Sequence, residues 1–330
     1  MKIALRADIH ANFSALQTIT ADIDAWGADL VIVGGDLVNR GPKPRECLEF
    51  VHQRILAGSW YWLRGNHEDY VLEQARSQMA PDDPAYEVHR ASRWTLEQLT
   101  SPIRLDNRRN GAHRHDDHRH DDQHSSSPTL QPANLDLVKS MPFQLNLLDP
   151  DSWQVNFVHA SMKGIRDGIY PETADGVLHS KIYNPLPSDS HELVKWIGAR
   201  SNQAPLSLFG VGHTHRPVIR QLEQVLVVNA GSAGLPFDQD TRPSYARLTY
   251  HKNQWHAEIR RCAYDFEQAK EDFYTSGYLE GGGPLVKLVL IELQTAQSQL
   301  YHWAKRYQER ALQGEIGMFD SVVNYLELSM

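Results

Sequence analysis

The sequence predicts an α/β fold, and two observations lead to this prediction. Apolar runs alternate with segments of helical periodicity over residues 1–65, which is typical of parallel β-α-β units. Several apolar runs are also followed directly by aspartate, asparagine or histidine. Because open α/β sheets bind ligands at the carboxyl ends of their strands, we expect these polar side chains to form one site.

The N-terminal part contains the clearest elements. Strands are expected at 2–7, 28–35 and 60–65, where short apolar runs are bounded by turn or polar residues. Helices are expected at 12–26 and 44–57, where apolar residues recur near helical spacing. The first 65 residues therefore predict a β-α-β-α-β arrangement.

The middle of the chain predicts helices followed by a low-complexity segment. Residues 68–100 are expected to be helical and polar, with a break at Pro81 and Pro84. Residues 107–128 contain five histidines and no apolar side chain larger than alanine. This composition predicts a disordered surface segment, with adventitious metal binding as the alternative.

The second half of the chain predicts more strands. Residues 143–148 and 153–160 flank an Asp-Pro-Asp turn and are expected to be strands. Partly helical structure is expected near residues 191–199. Further strands are expected at 206–211, 224–229, 244–250 and 254–262.

Residues after 264 are expected to be helical, with one apolar stripe along a long helix. The stripe consists of Val289, Leu293, Ala296, Leu300, Trp303, Tyr307 and Ala311. Packing of this stripe against the chain's own body is favoured over a dimer seam. Homo-oligomerisation through the C-terminal helix remains the alternative.

Composition restricts the function classes. The 330 residues are 41% hydrophobic and 22% charged, as in ordinary globular proteins, and the net charge of −8 makes long nucleic acid a poor partner. Cys47 and Cys262 form neither a metal motif nor a disulfide framework, which favours the cytoplasm. Asp8 comes too early for the apolar region of a signal peptide, and no apolar run is long enough for a membrane span.

The side chains at the strand ends predict a metal centre. The candidate ligands are Asp8, His10, Asp36, Asn66, His159, His213 and His215. They exceed what one ion needs and favour two ions that share a carboxylate. Mixed nitrogen and oxygen ligands fit Mn²⁺, Fe or Zn²⁺ better than Mg²⁺ or Ca²⁺. In an extended strand, His213 and His215 would face the same side.

These motifs resemble those of the calcineurin-like metallophosphoesterases. The series Asp-x-His, Gly-Asp-x-x-x-Arg-Gly-Pro, Gly-Asn-His-Glu, His and Gly-His-Thr-His spans residues 8–215. The resemblance implies a four-layer sandwich of two mixed β-sheets flanked by helices. It implies a catalytic domain at 1–263 with a helical insert at about 70–105, followed by a C-terminal helical appendage at 264–330.

The resemblance also implies roles for the candidate residues. One metal would be held by Asp8, His10, Asp36 and His215, and the other by Asp36, Asn66, His159 and His213. A metal-bridging hydroxide would attack phosphorus, with Mn²⁺ as the favoured metal and Fe or Zn²⁺ as alternatives. His67 would protonate the leaving oxygen, and Arg40 would bind a phosphate oxygen.

The expected substrate is a small phosphate ester of the nucleotide type, cleaved by a phosphodiesterase or phosphatase. Asn39 occupies the position of an aspartate in the phosphoprotein phosphatases, which weakens that alternative. It points to the bacterial phosphodiesterase-like or diadenosine tetraphosphatase-like branch. Ala11 and Ala230 also depart from residues frequent in the family, glycine and proline respectively.

Other hypotheses concern the insert and other function classes. Residues 70–105 are expected to cap the metals, where Tyr86 and Trp94 could stack on a base, although a core position is favoured for Trp94. An inactive scaffold on the same fold is the alternative of another class. A Ser-His-Asp hydrolase is disfavoured because no Gly-x-Ser-x-Gly follows a strand, and a nuclease is disfavoured by the acidic balance.

Overall fold

The chain forms two β-sheets with helices on their outer sides. The computed structural model describes residues 1–101, 133–183 and 194–329. The strands are β1 (Lys2–Arg6), β2 (Leu30–Val33), β3 (Trp60–Trp62), β4 (Gln144–Leu148), β5 (Gln154–Val158), β6 (Val194–Ile197), β7 (Leu206–Val211), β8 (Val218–Leu222), β9 (Val225–Asn229), β10 (Ser244–His251) and β11 (Gln254–Arg261).

The helices lie between these strands and after them. They are α1 (Phe13–Trp26), α2 (Pro44–Leu56), α3 (Asn66–Arg76), α4 (Pro84–Thr100), α5 (Asn134–Lys139), α6 (Asp175–Tyr183), α7 (Phe266–Thr275), α8 (Tyr278–Gly281), α9 (Val286–Thr295), α10 (Leu300–Trp303), α11 (Glu309–Leu312) and α12 (Met318–Ser329). A π-helical turn at Ala304–Gln308 joins α10 to α11.

Both sheets are mixed. The first has the order β11-β10-β1-β2-β3, with β1, β2 and β3 parallel and the β10–β11 hairpin antiparallel. The second has the order β6-β4-β5-β7-β9-β8, with β5, β7 and β9 parallel. The predicted sandwich of two mixed sheets flanked by helices is therefore confirmed.

Alternation along the strands builds two cores. In β1, Ile3 and Leu5 belong to the core that includes Phe157 of the second sheet, whereas Ala4 belongs to the core under helix α1. This alternation is the period-two pattern of a strand buried on both faces. Burial of each large apolar side chain contributes roughly 1.5–3 kcal/mol.

Helix α1 is fixed at both ends by its sequence. The side chain of Asn12 accepts a hydrogen bond from the Ala15 N–H, and Gly27 ends the helix in the left-handed conformation at φ 70°. Asn12 also donates to the Gly234 carbonyl at 2.9 Å. The start of α1 is therefore tied to the loop that follows β9, on the side of the candidate site.

The prediction of partly helical structure near 191–199 is wrong where it can be compared. Residues 194–197 form the edge strand β6, which pairs in parallel with β4, and residues 191–193 lie outside the described ranges. Pairing with β4 satisfies backbone groups that one isolated helical turn would leave open. Strand β8 was not predicted, because only one face of this edge strand is buried and Arg220 and Gln221 interrupt its apolar pattern.

The prediction of a single long C-terminal helix is also wrong. Helix α9 ends at Thr295, Ala296 adopts φ 50°, and α10 begins at Leu300. The apolar residues keep their helical spacing in the sequence on both sides of this break, so the spacing alone does not reveal it. Within the chain, the buried stripe residues are Val289, Leu293, Ala296, Trp303, Tyr307 and Ala311, and Leu300 is partly buried. The stripe therefore packs on the chain's own body, and homo-oligomerisation stays a prediction.

The expected insert is helical where it is described, as α3 and α4, and Trp94 packs against Tyr278 with ring centroids 4.6 Å apart. Trp94 is therefore a core residue, as favoured. The predicted disordered segment at 107–128 lies outside the described residues, and the boundary between 1–263 and 264–330 stays a prediction. No helix in the described ranges combines the length and apolar character needed to cross a membrane.

Candidate metal centre

The predicted metal ligands come together beyond the carboxyl ends of the strands. One group with ligand atoms within 4.8 Å of one another contains Asp8, His10, Asp36 and His215. A second such group contains Asp36, His159 and His213. Asn66 adjoins the second group, because its Oδ1 lies 3.0 Å from His159 Nε2 and 2.9 Å from His213 Nδ1. Asp36 is shared by both groups.

The backbone at these positions is unusual. Positive φ angles of 48–70° occur at Asp8, His10, Asp36, His213 and His215. The left-handed conformation costs a non-glycine residue roughly 1–3 kcal/mol and tends to cluster at functional sites. His213 and His215 therefore lie in a turn after β7, where they reach different groups, and do not share one face of an extended strand.

Backbone contacts orient the imidazoles. His159 Nδ1 donates to the Gly34 carbonyl at 2.8 Å, His10 Nδ1 lies 3.3 Å from the Asn39 carbonyl, and His215 Nδ1 donates to the Leu235 carbonyl. His213 hydrogen-bonds the backbone of Arg166. These contacts fix which ring nitrogen carries the proton and leave the other nitrogen to face the cluster, as in metal-binding histidines.

The facing nitrogens fit a cation between them. His10 Nε2 and His215 Nε2 are 3.1 Å apart, and His159 Nε2 is 3.3 Å from His213 Nδ1. In their neutral forms, the two imidazoles of each pair direct lone pairs at one another, and a positive charge between them, either a metal ion or a proton, relieves this repulsion. Asp8 Oδ1 is buried without a hydrogen-bond partner, and burial raises the pKa of Asp8 well above its usual range. A bound cation would satisfy each of these groups.

The charges within the cluster differ between histidines. Burial lowers the pKa of His10 and of His215 well below the usual range, and lowers that of His213 to about 4. Burial also opposes a charge on His159, but the carboxylate of Asp36 raises the pKa of His159 to about 10. Without metal, His159 therefore carries the positive charge that balances Asp36.

Glu68 organises the site, although the sequence analysis assigned it no role. This fully buried carboxylate accepts the backbone N–H groups of Asp36, Leu37, Val38 and Gly65 at 2.7–3.1 Å. It thereby ties the Asp36 loop to the start of α3. The sequence signal that could have pointed to Glu68 is its position directly after Gly-Asn-His in the Gly-Asn-His-Glu motif.

Asn39 determines the tautomer of His67. Its Oδ1 accepts from the Arg40 N–H at 2.9 Å and from the Thr95 hydroxyl at 3.3 Å, so its Nδ2 faces Ser92 and His67. Nδ2 lies 3.1 Å from His67 Nδ1, which must accept this hydrogen bond. The His67 proton is therefore on Nε2. Helix α4, which carries Ser92 and Thr95, forms part of the site wall.

His67 is neutral in this environment. Burial lowers the pKa of His67 to about 3, and its ring lies edge-on to that of His10 with centroids 4.8 Å apart. Its backbone N–H donates to Asp36 Oδ1 at 2.9 Å. His67 can therefore offer an Nε2–H beside the cluster.

Arg40 is placed beside the cluster but has a partner that the sequence analysis did not identify. Its Nη2 lies 2.8 Å from Oε2 of the buried Glu292 in α9. Its guanidinium is 5.6 Å from the ring centroid of Phe237, which stacks on His215 at 4.2 Å.

Tyr86, a predicted base-stacking residue, contacts a cation in this structure. The guanidinium of Arg93 lies over its ring, 4.7 Å from the ring centroid.

A family model and several known proteins match most of this chain. The family model described as calcineurin-like phosphoesterase matches residues 1–217. Uncharacterized protein MJ0912 of Methanocaldococcus jannaschii is 22% identical over 271 residues, which are 82% of this chain and 90% of that protein.

Two solved structures resemble this one over nearly their whole length. A metallophosphoesterase from Sphaerobacter thermophilus has 23% identity and a TM-score of 0.51, covering 90% of this chain and 100% of that chain. The hypothetical protein PH1004 from Pyrococcus horikoshii OT3 has 15% identity and a TM-score of 0.61, covering 90% and 99%. These structures support the fold. The family match, which covers more than half of the chain, shows that the chain belongs to the calcineurin-like phosphoesterase family.

Proposed function

We propose that the protein hydrolyses a small phosphate ester of the nucleotide type, as a phosphodiesterase or phosphatase that depends on two divalent metal ions. The observation that carries the proposal is the convergence of four imidazoles on two carboxylates, with Asp36 in both ligand groups. The calcineurin-like family uses dinuclear metal centres. Mn²⁺ is the favoured metal, with Fe or Zn²⁺ as alternatives, because the ligands mix nitrogen and oxygen.

The metal-binding residues would act as two sets joined by Asp36. Asp8, His10 and His215 would hold one ion, and Asn66, His159 and His213 the other. When bound, such ions supply a hydroxide nucleophile and neutralise phosphate oxygens.

His67 would donate its Nε2–H to the leaving oxygen. The donor is a neutral imidazole held by Asn39. Arg40 would bind a phosphate oxygen. Its guanidinium lies close to the cluster, since burial first and the Arg40 charge second lower the pKa of His215. A planar guanidinium suits this role because its donors are fixed in one plane.

Asn39 argues against the phosphoprotein phosphatase alternative. An amide that donates to Nδ1 holds His67 in the opposite hydrogen-bond polarity from a carboxylate, which would accept from Nδ1. The inactive scaffold is disfavoured because every predicted ligand position holds a suitable side chain and these side chains lie together. The nucleotide-type substrate and the cytoplasmic location remain predictions.

Hydrolysis of paired chromogenic phosphate monoesters and diesters tests the proposal. Metal-free protein would be assayed before and after addition of Mn²⁺, beside Asp36→Asn and the exposed control Asp136→Asn, whose carboxylate pairs with Lys139. We expect turnover that requires both Mn²⁺ and Asp36 and that Asp136→Asn leaves unchanged. Diester preference would favour the phosphodiesterase, and monoester preference the phosphatase. No turnover of either ester by metal-loaded protein would contradict the proposal.

A further inference from the structure

Glu292 is a buried carboxylate in the C-terminal helices, outside the predicted metal ligands. Its side chain is 0% exposed, and its Oε2 lies 2.8 Å from Arg40 Nη2. An ionised carboxylate at such a depth requires compensating partners. Arg40 is the one cation within ion-pair distance of it among the residues that the structure describes.

The other oxygen of Glu292 is held by the chain break between α9 and α10. Oε1 accepts the backbone N–H groups of Gln299 at 2.8 Å and Leu300 at 2.9 Å, and the Ser298 hydroxyl is at 3.4 Å. These donors fix the carboxylate plane. Oε2 is therefore directed at Arg40 by the local structure around α10.

Arg40 is constrained from its backbone side as well. Asn39 and Arg40 adopt consecutive positive φ angles of 68° and 61°, and Asn39 Oδ1 accepts the Arg40 N–H. The guanidinium then passes Phe237, which stacks on His215 of the metal cluster. Arg40 thus spans the distance from the cluster to α9 with little rotational freedom.

We propose that Glu292 is a positioning residue, which holds the Arg40 guanidinium at the metal centre for binding of a substrate phosphate. The C-terminal helices then complete the active site. This inference rests on the proposed phosphate-binding role of Arg40. Its physical basis is that an arginine ordered before the substrate arrives loses less conformational entropy on binding.

Glu292→Gln separates this role from the capping of α10. The amide oxygen can keep the two backbone N–H donors of Gln299 and Leu300, which places the amide NH₂ against Arg40, where donor faces donor. With Mn²⁺-loaded protein, we expect KM for the better chromogenic ester and the dissociation constant of inorganic phosphate to rise about tenfold, the scale of one charge-assisted hydrogen bond, with kcat within about twofold. Glu292→Asp, which keeps the charge but shortens the reach, should raise both less and serves if Glu292→Gln does not fold.

Two further variants give the controls. Arg40→Ala and Arg40→Ala/Glu292→Gln should have the same KM and phosphate affinity, because Glu292 acts through Arg40. Glu315→Gln makes the same chemical change in the exposed Arg310–Glu315 pair and should leave both unchanged.

The outcomes separate the two proposals. Unchanged KM and phosphate affinity in Glu292→Gln, or an equal loss in the Arg40→Ala background, would overturn the positioning role while leaving the phosphoesterase intact. If the wild type lacks turnover, calorimetric phosphate binding to the Mn²⁺-loaded variants still decides the role of Glu292. Failure of the wild type to bind phosphate would overturn the positioning role as well.

Discussion

At the scale of single residues, the orientation of His67, His159 and His215 follows from the backbone or amide group that contacts one ring nitrogen. Carbonyls at Gly34 and Leu235 take the Nδ1–H of His159 and His215, so the opposite nitrogens face the cluster. Asn39 does the reverse for His67, because it donates to Nδ1. Identical side chains therefore acquire different chemical roles from the partner on one ring nitrogen.

Asn39→Asp should change the role of His67. A carboxylate would accept from Nδ1 and raise the pKa of His67 from its low value of about 3, which burial causes. We expect the ratio of alkyl to p-nitrophenyl phosphate turnover to rise, since alkyl leaving groups depend more on protonation. Parallel kcat/KM measurements on both esters check this, with Asn39→Ala as the comparison. An unchanged ratio would show that His67 does not protonate the leaving group.

Gly212→Ala should damage the metal centre. A Cβ at Gly212 would lie closest to Ala7 Cβ and 2.6 Å from Asp8 Oδ2, both nearer than side-chain carbons approach other atoms, so the chain at Ala7 and Asp8 would have to move. We expect Mn²⁺ affinity to fall about 10- to 100-fold, as for other changes around metal ligands. Calorimetric Mn²⁺ titration measures this. Gly176→Ala is the matched control, because a Cβ there has no neighbour within 4 Å; equal affinity in both variants would contradict the argument.

At the scale of secondary-structure elements, the sequence predicted the features that a local residue pattern determines and did not predict those that depend on distant contacts. The ligands could be named because each comes just after an apolar run, as Asp8 does after β1. The edge strand β6 pairs with β4, and Glu292 accepts backbone N–H groups across the break after α9, so both features involve contacts that periodicity does not show. The Arg40–Glu292 pair joins residues 252 positions apart, and no local pattern indicates it.

Leu16→Ala tests how firmly α1 is packed against the first sheet. Leu16 is fully buried in the core between α1 and its sheet, so its truncation should lower the free energy of unfolding by about 2–5 kcal/mol. The exposed Leu56 of α2 is the matched control, and Leu56→Ala should change the free energy of unfolding by less than about 0.5 kcal/mol. Urea unfolding of metal-free protein measures both. Similar values for the two variants would contradict the assigned core.

At the scale of the whole molecule, two sheets and the C-terminal helices meet at one edge to assemble the site. The first sheet supplies Asp8 and Asp36, and the second supplies His159 and His213. Helix α9 adds Glu292 behind Arg40. Metal binding therefore joins parts of the chain that are far apart in sequence, and it should stabilise the entire fold.

The stability of metal-free protein should depend on pH through His159. Burial opposes its charge, but Asp36 raises the pKa of His159 to about 10, above the unfolded value of 6.5. The folded state binds the proton more tightly, so this stabilisation is complete below pH 6.5 and is lost as the pH rises through about 10. Urea unfolding of metal-free protein across this range checks the sign. A His159→Gln variant should lack the dependence; the same slope in that variant would assign it to another group.

The number of Mn²⁺ equivalents needed for turnover tests the central claim most directly. Metal-free protein would be titrated with Mn²⁺ while the heat of binding and the hydrolysis of the preferred chromogenic ester are followed. Because Asp36 belongs to both ligand groups, we predict that two ions bind per chain and that turnover appears only as the second site fills. Full turnover with one equivalent, or without any metal, would contradict a dinuclear phosphoesterase.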